Sequence, residues 1–273
     1  MKKILTIIIC SICAYSVSAQ YTYGEPVESK NRARGGSDYK QTRIGIFIAP
    51  NNSWMKPTAS KSNDGLYVVN SEGAKIGYTW GLMIDHFFTE NYGIATGLQL
   101  NTTGGKMNAL YDITKLPTPA PVNMVKSANF DYRLQYFEVP FGLKLLSDEL
   151  SGGVRVFGNI GITAALNIAR KGTYEVVYTD TVSGVSVDKT ITGENERLRG
   201  GLSITPILFQ MNLGAGIEYS LSQKMSLYIG LFFNNGFAPD VTNPKELNME
   251  YKGYFSDGNV RLNNLALKVG MFF

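Results

Sequence analysis

Hydrophobic residues recur at every second position in eight stretches of this chain. In one of them, "KIGYTWGLMID", the apolar residues Ile76, Tyr78, Trp80, Leu82 and Ile84 alternate with mostly small or polar residues. A two-residue period indicates a β-strand, because successive side chains of a strand point to opposite faces. The eight stretches are RIGIFIA, KIGYTWGLMID, YGIATGLQLN, YRLQYFEVPFGLKL, VRVFGNIGITAALNI, FQMNLGAGIEY, MSLYIGLFF and LNNLALKVGMFF.

The residues between the apolar ones indicate which face of each strand lies inside. In a soluble β-sandwich the apolar face packs inward and the other face is polar and solvated. Here the second face is rich in Gly, Ala, Asn and Gln and carries charges of both signs. Small and polar side chains suit the interior of a narrow barrel, while the large apolar ones suit lipid. Strands of about ten residues can cross a bilayer, and a sheet in a bilayer must close on itself. The pattern therefore predicts an all-β, closed transmembrane β-barrel.

The connections between the predicted strands alternate in length. Three are short, at Phe88–Asn91, Ser147–Gly153 and Ser220–Lys224. Four are long, at Pro50–Gly73, Thr102–Asp131, Arg170–Leu208 and Asn235–Asn263. This alternation predicts an eight-stranded antiparallel up-and-down barrel with short periplasmic turns, long extracellular loops and both mature termini in the periplasm. Within the third long connection, "TYEVVYTDTVSGVSVDKTIT" predicts a hairpin with Ser183 and Gly184 near its tip.

The N-terminal segment predicts export. Lys2 and Lys3 precede a short apolar run that ends at Val17-Ser18-Ala19, as in a signal peptide cleaved before Gln20. We therefore expect a signal peptide at 1–19, a flexible periplasmic leader at 20–40 and the barrel at 41–273, in the outer membrane. Both cysteines lie in the signal, so the mature chain has no thiol chemistry. Its charge of 24 minus 22, or +2, gives no electrostatic case for nucleic acid.

The last strand carries an apolar face that ends on an aromatic residue. Its outward positions are Leu265, Leu267, Val269, Met271 and Phe273. This arrangement resembles the terminal signal that the barrel assembly machinery reads, so we expect that machinery and outer-membrane lipid as partners.

Seven charged residues fall on the predicted lumen face. They are Lys75, Asp85, Glu138, Lys144, Arg155, Glu218 and Lys268. Charges inside a narrow barrel are costly unless they are paired, so we expect a salt-bridge network that fills the lumen. The alternative is a gate or narrow ion path. Transport of large solutes is not expected, because side chains can fill the interior of eight strands.

No catalytic, cofactor or metal site is expected. The mature chain has a single histidine, His86, on the lipid-facing phase, and no cysteine, which favours neither a hydrolytic triad nor a zinc site. Gly214-x-Gly216 and Gly158-x-x-Gly161 do not open helices, so they are interpreted as small lumen or close-approach positions rather than phosphate-binding loops. Aromatic residues near the predicted strand ends are interpreted as membrane-interface girdles: Tyr92, Tyr219, Phe87, Phe88 and Phe273 at the inner end, and Tyr132, Phe209 and Phe233 at the outer end.

The fourth stretch has an irregular phase. Tyr132, Leu134 and Tyr136 share one face, whereas the apolar residues from Phe137 to Leu145 share the other. A β-bulge near Tyr136 is the favoured interpretation, and it would turn Glu138 and Lys144 into the lumen. The alternative is a strand that rises clear of the membrane before Phe137.

The same stretch, "LQYFEVPFGLKL" from Leu134 to Leu145, resembles the characteristic strand of the PorT-like outer-membrane β-barrel family. In that family an aromatic-rich stretch, an acidic residue, an aliphatic residue, a proline and an aliphatic-Lys-Leu ending recur at this spacing. The resemblance implies an eight-stranded, non-enzymatic outer-membrane barrel. It also implies an accessory or structural role in envelope biogenesis or type IX protein secretion, with secretion-system or other envelope proteins as partners. Two other functions remain open: a surface-binding or adhesive barrel that uses its long loops, and a narrow small-solute or ion pore.

Overall fold

Nine antiparallel strands form the described part of the chain. The computed structural model describes residues 42–57, 67–111, 124–150, 152–182, 184–197, 205–222, 225–237 and 260–273. The strands are β1 (Thr42–Pro57), β2 (Tyr67–Phe87), β3 (Tyr92–Tyr111), β4 (Met124–Leu146), β5 (Val154–Val182), β6 (Val185–Arg197), β7 (Ile207–Ser220), β8 (Ser226–Gly236) and β9 (Val260–Phe272). Among these residues, no helix is long and apolar enough to span a membrane.

Eight of the nine strands close into a ring. The order around the ring is β1, β2, β3, β4, β5, β7, β8 and β9, and β9 pairs with β1 to close it. The eight predicted strands are these eight, so the predicted all-β, eight-stranded, antiparallel barrel is confirmed. Closure leaves no unpaired sheet edge inside the membrane, where unpaired backbone groups could find no water.

The ninth strand is the far arm of the predicted hairpin. Strand β5 pairs with β7 along its first half, as far as Leu166, and with β6 along its second half. The turn joins Val182 to Val185, and Gly184 takes a positive φ of 81° there, a conformation that glycine adopts without strain. The hairpin predicted from the sequence is therefore confirmed.

The two ends of the barrel differ. The connections at 88–91, 147–153 and 221–225 lie at one end, which also holds Thr42 and Phe273, the latter donating its backbone N–H to the Ile44 carbonyl at 2.8 Å. We call this end the short-turn end and the opposite end the long-loop end. The predicted signal peptide at 1–19, the leader at 20–40 and the proline-rich stretch at 115–123 lie outside the described residues.

The strands extend further toward the long-loop end than the hydrophobic pattern predicted. Strand β1 continues through Pro50 to Pro57, and β5 reaches 29 residues. About ten residues suffice to cross the bilayer, so most strands continue beyond it. The four long connections are correspondingly shorter than predicted, and the third is largely the β5–β6 hairpin.

The outer surface of the ring is apolar, as the inverted pattern requires. Large side chains such as Ile46, Trp80, Phe141, Ile162 and Leu231 are between 47% and 55% exposed. The interior, however, also contains large side chains in addition to the expected small and polar ones. Two clusters of large side chains lie inside, one around Phe157, Tyr228 and Phe272 toward the short-turn end, and one around residues such as Tyr132 and Leu134 toward the long-loop end.

The structure of β4 differs from the irregular phase predicted for this stretch. Tyr132, Leu134, Tyr136, Glu138 and Lys144 all point inward, and the alternation from 132 to 146 is unbroken. The irregularity lies on the neighbouring strand, where Gln135 pairs with Ala169 but Tyr136 pairs with Asn167, which leaves one extra residue on β5. The expected bulge on β4 is therefore wrong, because the aromatic face of β4 packs into the lumen instead of facing lipid. The alternative, a strand that continues beyond the membrane before Phe137, agrees with the length of β4.

Two residues assigned to the aromatic girdles are also inside. Tyr132 is 1% exposed and Phe87 is 3% exposed, and both belong to the interior clusters. Each lies on the inward phase of its strand, so the alternation decides their position. The other expected girdle residues face outward or lie at a rim: Tyr92, Tyr219, Phe88, Phe273, Phe209 and Phe233.

Candidate functional site: a buried charge cluster in the lumen

Four charged residues meet inside the barrel near the short-turn end. The Lys144 ammonium donates to the carboxylates of Asp85 at 2.6 Å and Glu218 at 2.5 Å. The Arg43 guanidinium contacts the same two carboxylates at 2.9 and 2.7 Å. The four residues come from β2, β4, β7 and β1, and each occupies the inward phase of its strand. Two positive and two negative charges cancel, which is the condition for placing ions in a low-dielectric interior.

Aromatic rings surround the cations of this cluster. The Lys144 ammonium lies 4.9 to 5.0 Å from the ring centroids of Phe157, Tyr228 and Phe272. The Arg43 guanidinium lies 4.1 Å from the centroid of Phe272 and 4.9 Å from that of Phe87. Cation–π contacts of this length stabilise a desolvated cation. The large interior rings thus replace the water that a charge would otherwise require.

A second polar group lies further along the lumen. Glu138 accepts hydrogen bonds from Gln99, at 2.5 Å, and from Asn101, at 2.8 Å. The Lys268 ammonium donates to the Gln99 side-chain oxygen at 3.3 Å and lies over the rings of Phe47 and Phe232. Gln99 therefore bridges the buried cation and the buried anion. Lys268 and Glu138 thus resemble an ion pair with the neutral amide of Gln99 between the two charges.

Asparagine side chains form a hydrogen-bonded chain across four adjacent strands of the ring. Asn159 donates to Asn212, Asn212 to Asn234, and Asn234 to Asn264, at 2.8, 2.5 and 2.7 Å. None of these asparagines was predicted as a site from the sequence. Each asparagine occupies the inward phase of its strand, so its position in the lumen could be predicted from the alternation. The register that brings the four side chains together depends on the pairing of neighbouring strands and cannot be deduced from a single sequence.

Two of the seven predicted lumen charges lie elsewhere. Lys75 pairs with Asp131 and also donates to the Tyr132 carbonyl at 3.2 Å, apart from the other charges. The irregular pairing of β2 with β3 between Gly73 and Tyr78 displaces the strand at this point. Arg155 donates to the backbone carbonyls of Ser147 and Glu90, at 2.9 and 3.2 Å, and so joins two turns at the short-turn end.

Arg43 is the member of the cluster that was not predicted from the sequence. Arg43 lies at the start of β1 on the same inward phase as Phe47. The alternation of "RIGIFIA" indicates this inward phase, since Arg43 lies on the opposite face of the strand from Ile44 and Ile46. Arg43 was not predicted as a lumen charge because it stands at the edge of the apolar pattern. Arg43 supplies the second positive charge that balances Asp85 and Glu218.

The cluster offers little room for a ligand. A cavity of about 40 Å³, lined by residues including Asp85, Gln99, Lys144 and Lys268, separates the two polar groups. That volume is enough for one or two water molecules. Among the described residues, no three His, Cys, Asp or Glu side chains gather into a group that could hold a metal ion. The geometry is that of a charge-balanced internal network.

His86 and the terminal strand lie on the outer surface. His86 Nδ1 is 2.8 Å from the Thr42 hydroxyl, and its ring contacts Phe88 edge-on at the short-turn end. Leu265, Leu267 and Phe273 are between 42% and 47% exposed, Val269 and Met271 are half-buried, and the intervening Phe272 points into the lumen. The apolar face of the terminal strand is therefore available to lipid and to other proteins.

Comparisons with known structures return small outer-membrane barrels. Neisserial surface protein A is 10% identical, with 86% of this chain and 98% of that chain covered and a TM-score of 0.39. Ail, the attachment invasion locus protein of Yersinia pestis, is 12% identical, with 85% and 97% covered and a TM-score of 0.35. The outer membrane protease OmpT of Escherichia coli is 8% identical, with 87% and 99% covered and a TM-score of 0.33. Comparison with curated protein sequences returns no significant match.

The family is established by a sequence model rather than by these individual structures. The model of the outer membrane protein beta-barrel domain matches residues 29–239, well over half of the chain. The match includes strands β1 to β8, and the closed ring has the form that such a domain requires. The chain therefore belongs to the outer membrane protein beta-barrel domain family, and its ring of eight strands is a barrel of the bacterial outer membrane.

Proposed function

We propose that this barrel is a non-enzymatic accessory component of envelope biogenesis or type IX protein secretion, and that it acts by binding other envelope proteins at its ends. The resemblance of "LQYFEVPFGLKL" to the characteristic strand of the PorT-like family supports the cellular role. In this proposal the short-turn end faces the periplasm and the long-loop end faces the exterior. Short periplasmic turns and long external loops are usual for bacterial barrels.

The observation that carries the proposed mode of action is the filled lumen. Toward the long-loop end the interior is packed with large side chains that are at most 2% exposed, among them Met55, Met107, Leu134, Tyr136 and Leu262. Toward the short-turn end it is filled by the charge cluster and its aromatic rings. This packing leaves little room for solutes among the described residues, and it supports a mode of action through the surfaces of the barrel.

Two measurements test this proposal. Deletion of the gene should reduce the amount of secreted type IX cargo or alter outer-membrane composition, and a plasmid copy should restore it. Purification of the tagged protein in mild detergent should recover the same envelope proteins from independent preparations. A deletion strain with unchanged cargo secretion and envelope composition, together with purification of the barrel alone, would refute the accessory role.

A second candidate, surface binding, is favoured by the long-loop end. A cavity of about 340 Å³ opens there between the β5–β6 hairpin and strands β2 to β4. Phe130 and Tyr174 lie in its wall, and its rim carries four carboxylates and one lysine: Glu72, Asp131, Glu175, Glu194 and Lys106. The Tyr174 hydroxyl donates to Glu196 at 2.9 Å, and burial together with this carboxylate raises the pKa of Tyr174.

Shortening the hairpin distinguishes the two candidates. Strand β5 pairs with β7 only as far as Leu166, so residues 173–195 can be replaced by a short turn without removing a strand from the ring. Loss of adhesion to host or abiotic surfaces, with secretion intact, would favour surface binding. Loss of secretion with adhesion unchanged would favour the accessory role.

A further inference from the structure

Three basic residues stand directly opposite one another on the outer face of the barrel. Arg133 of β4 pairs with Lys171 of β5, and Lys171 pairs with Arg197 of β6. All three side chains are exposed, and no described carboxylate forms an ion pair with any of them. We call these three residues the basic row. Like charges at directly opposed positions destabilise a sheet, so binding of an external anion would reduce the repulsion within the row.

The position of the basic row relative to the lipid-facing belt identifies the kind of anion. Phe137 is the first large apolar residue that faces outward below Arg133 on β4. Four residues along a strand span about 13 Å, or about 10 Å along the membrane normal at the usual tilt. The polar headgroup layer begins where the hydrocarbon ends and is roughly 5 to 8 Å thick. The backbone of the basic row therefore lies just beyond this layer, and the long Arg and Lys side chains reach back to the lipid headgroups.

The acidic residues near the row do not neutralise it. Asp131, two positions beyond Arg133, already pairs with Lys75. The Lys75–Asp131 pair lines a depression of about 30 Å³ beside the row, and Arg133 contributes the one charged group there that has no partner among the described residues. The carboxylates of Glu72, Glu175 and Glu194 line the separate, larger cavity further out.

The opposite side of the barrel repeats the arrangement. Lys56 of β1 stands directly opposite Arg261 of β9, both on the outward phase. The Nε atom of Arg261 is buried without a hydrogen-bond partner among the described residues. Trp54 and Phe233 stack at a centroid distance of 6.3 Å on the same face, just below Lys56. Cations above an aromatic pair match the boundary between headgroups and hydrocarbon.

We propose that the basic row, Arg133, Lys171 and Arg197, binds the phosphate groups of outer-leaflet lipid headgroups. Guanidinium groups fit phosphate in a two-pronged geometry, and each cation near an anionic surface contributes to binding. The ligand is a phosphorylated glycolipid that lies against β4, β5 and β6. Its phosphates neutralise the repulsion within the row and fix the barrel at one depth in the outer leaflet.

Lipid binding by the full mature chain in detergent tests this proposal. The protein is titrated with lipid A that carries two phosphates, with dephosphorylated lipid A, and with inorganic phosphate, and bound lipid is counted by native mass spectrometry. The test variant is R133Q/K171Q/R197Q. The matched control is K126Q, which replaces an exposed lysine of β4 that pairs with Asp188 instead of standing opposite another cation.

The wild-type protein and K126Q should bind lipid A within about twofold of each other. The triple variant should bind it at least about tenfold more weakly, as expected for the loss of three cations near an anionic surface. Dephosphorylated lipid A should bind wild type no better than it binds the triple variant. Equal lipid A binding by wild type and the triple variant would overturn the proposal, as would competition by inorganic phosphate at equal concentration. If the triple variant shows no heat-modifiable band on a gel, K171Q, at the centre of the row, replaces it with a smaller expected loss.

Discussion

The buried charge cluster makes a quantitative prediction about stability. Lys144 is 2% exposed and contacts Asp85 and Glu218, which also contact Arg43. Lys144→Met keeps the length and apolar character of the side-chain stem within the aromatic rings but removes the charge. It leaves two buried carboxylates with one cation between them. Removing one partner of a buried ion pair typically costs 3 to 5 kcal/mol.

We expect a cost at the lower end of that range, about 3 kcal/mol, because Arg43 still contacts both carboxylates. A second substitution should recover most of the loss. Lys144→Met combined with Glu218→Gln leaves Arg43 paired with Asp85 and restores zero net charge. The coupling energy between the two substitutions should therefore be about 2 kcal/mol, well above the scatter between independent sites.

The assay is reversible urea unfolding in lipid vesicles, followed by the fluorescence of Trp54 and Trp80, the two tryptophans of the chain. Lys126→Met is the matched control, because Lys126 pairs with Asp188 where both side chains are at least 40% exposed. Such surface pairs contribute between 0 and 1 kcal/mol. If Lys144→Met costs no more than Lys126→Met, or if the double variant is no more stable than the single one, the electrostatic account of the lumen is wrong.

Three further predictions concern packing, permeation and assembly. A methyl group at Gly216 would collide with the Ile229 carbonyl oxygen and lie 2.7 Å from Phe157, whereas one at Gly158 would meet nothing within 4 Å. Gly216→Ala should therefore lower the free energy of unfolding by about 1 to 3 kcal/mol and Gly158→Ala by less than about 0.5 kcal/mol, and equal effects in urea titrations would contradict the interior packing. The wild-type barrel should give no conductance steps in a planar bilayer, since side chains fill its lumen. Steady openings would instead support the function as a narrow pore. Deleting Phe273 should lower the amount of barrel in the outer membrane several-fold. It should not prevent refolding in detergent, because the Phe273 ring is exposed and its backbone N–H makes one hydrogen bond, to the Ile44 carbonyl. Normal amounts of the variant in cells would argue against a terminal assembly signal.

The strands that cross the membrane could be predicted from the sequence because alternation is a local property. Each apolar face, such as Ile44-Ile46-Ile48, is defined within one strand and needs no knowledge of its neighbours. The hairpin turn at Gly184 was equally local. Aromatic character, in contrast, does not indicate which face of a strand meets lipid. Tyr132 and Tyr136 were misplaced because they were assigned outward as apolar residues, although the alternation of β4 puts them on the opposite face from the lipid-facing Phe137.

The pairing of charges depends on information that no single strand contains. Asp85 and Glu218 could be assigned to the lumen by phase, but their meeting at Lys144 depends on the register of several strands around the ring. That register is unbroken around the cluster, because the extra residue in β5 and the irregularity of β2 near Gly73 both lie toward the long-loop end. Lys75 shares the phase of Asp85 but precedes it by ten residues on β2, so distance along the strand separates Lys75 from the cluster.

The lumen of this barrel has a definite order along its axis. Ions held by aromatic rings lie toward the short-turn end, amide side chains follow, and large apolar residues fill the half toward the long-loop end. The charged groups of the lumen are paired within the barrel, so they need no ligand to balance them. The cations of the basic row differ, because they stand opposite one another on the outer face and no described carboxylate pairs with them. The unbalanced charge of the described chain thus points toward the membrane and the long-loop end, and experiments on function should begin with substitutions there.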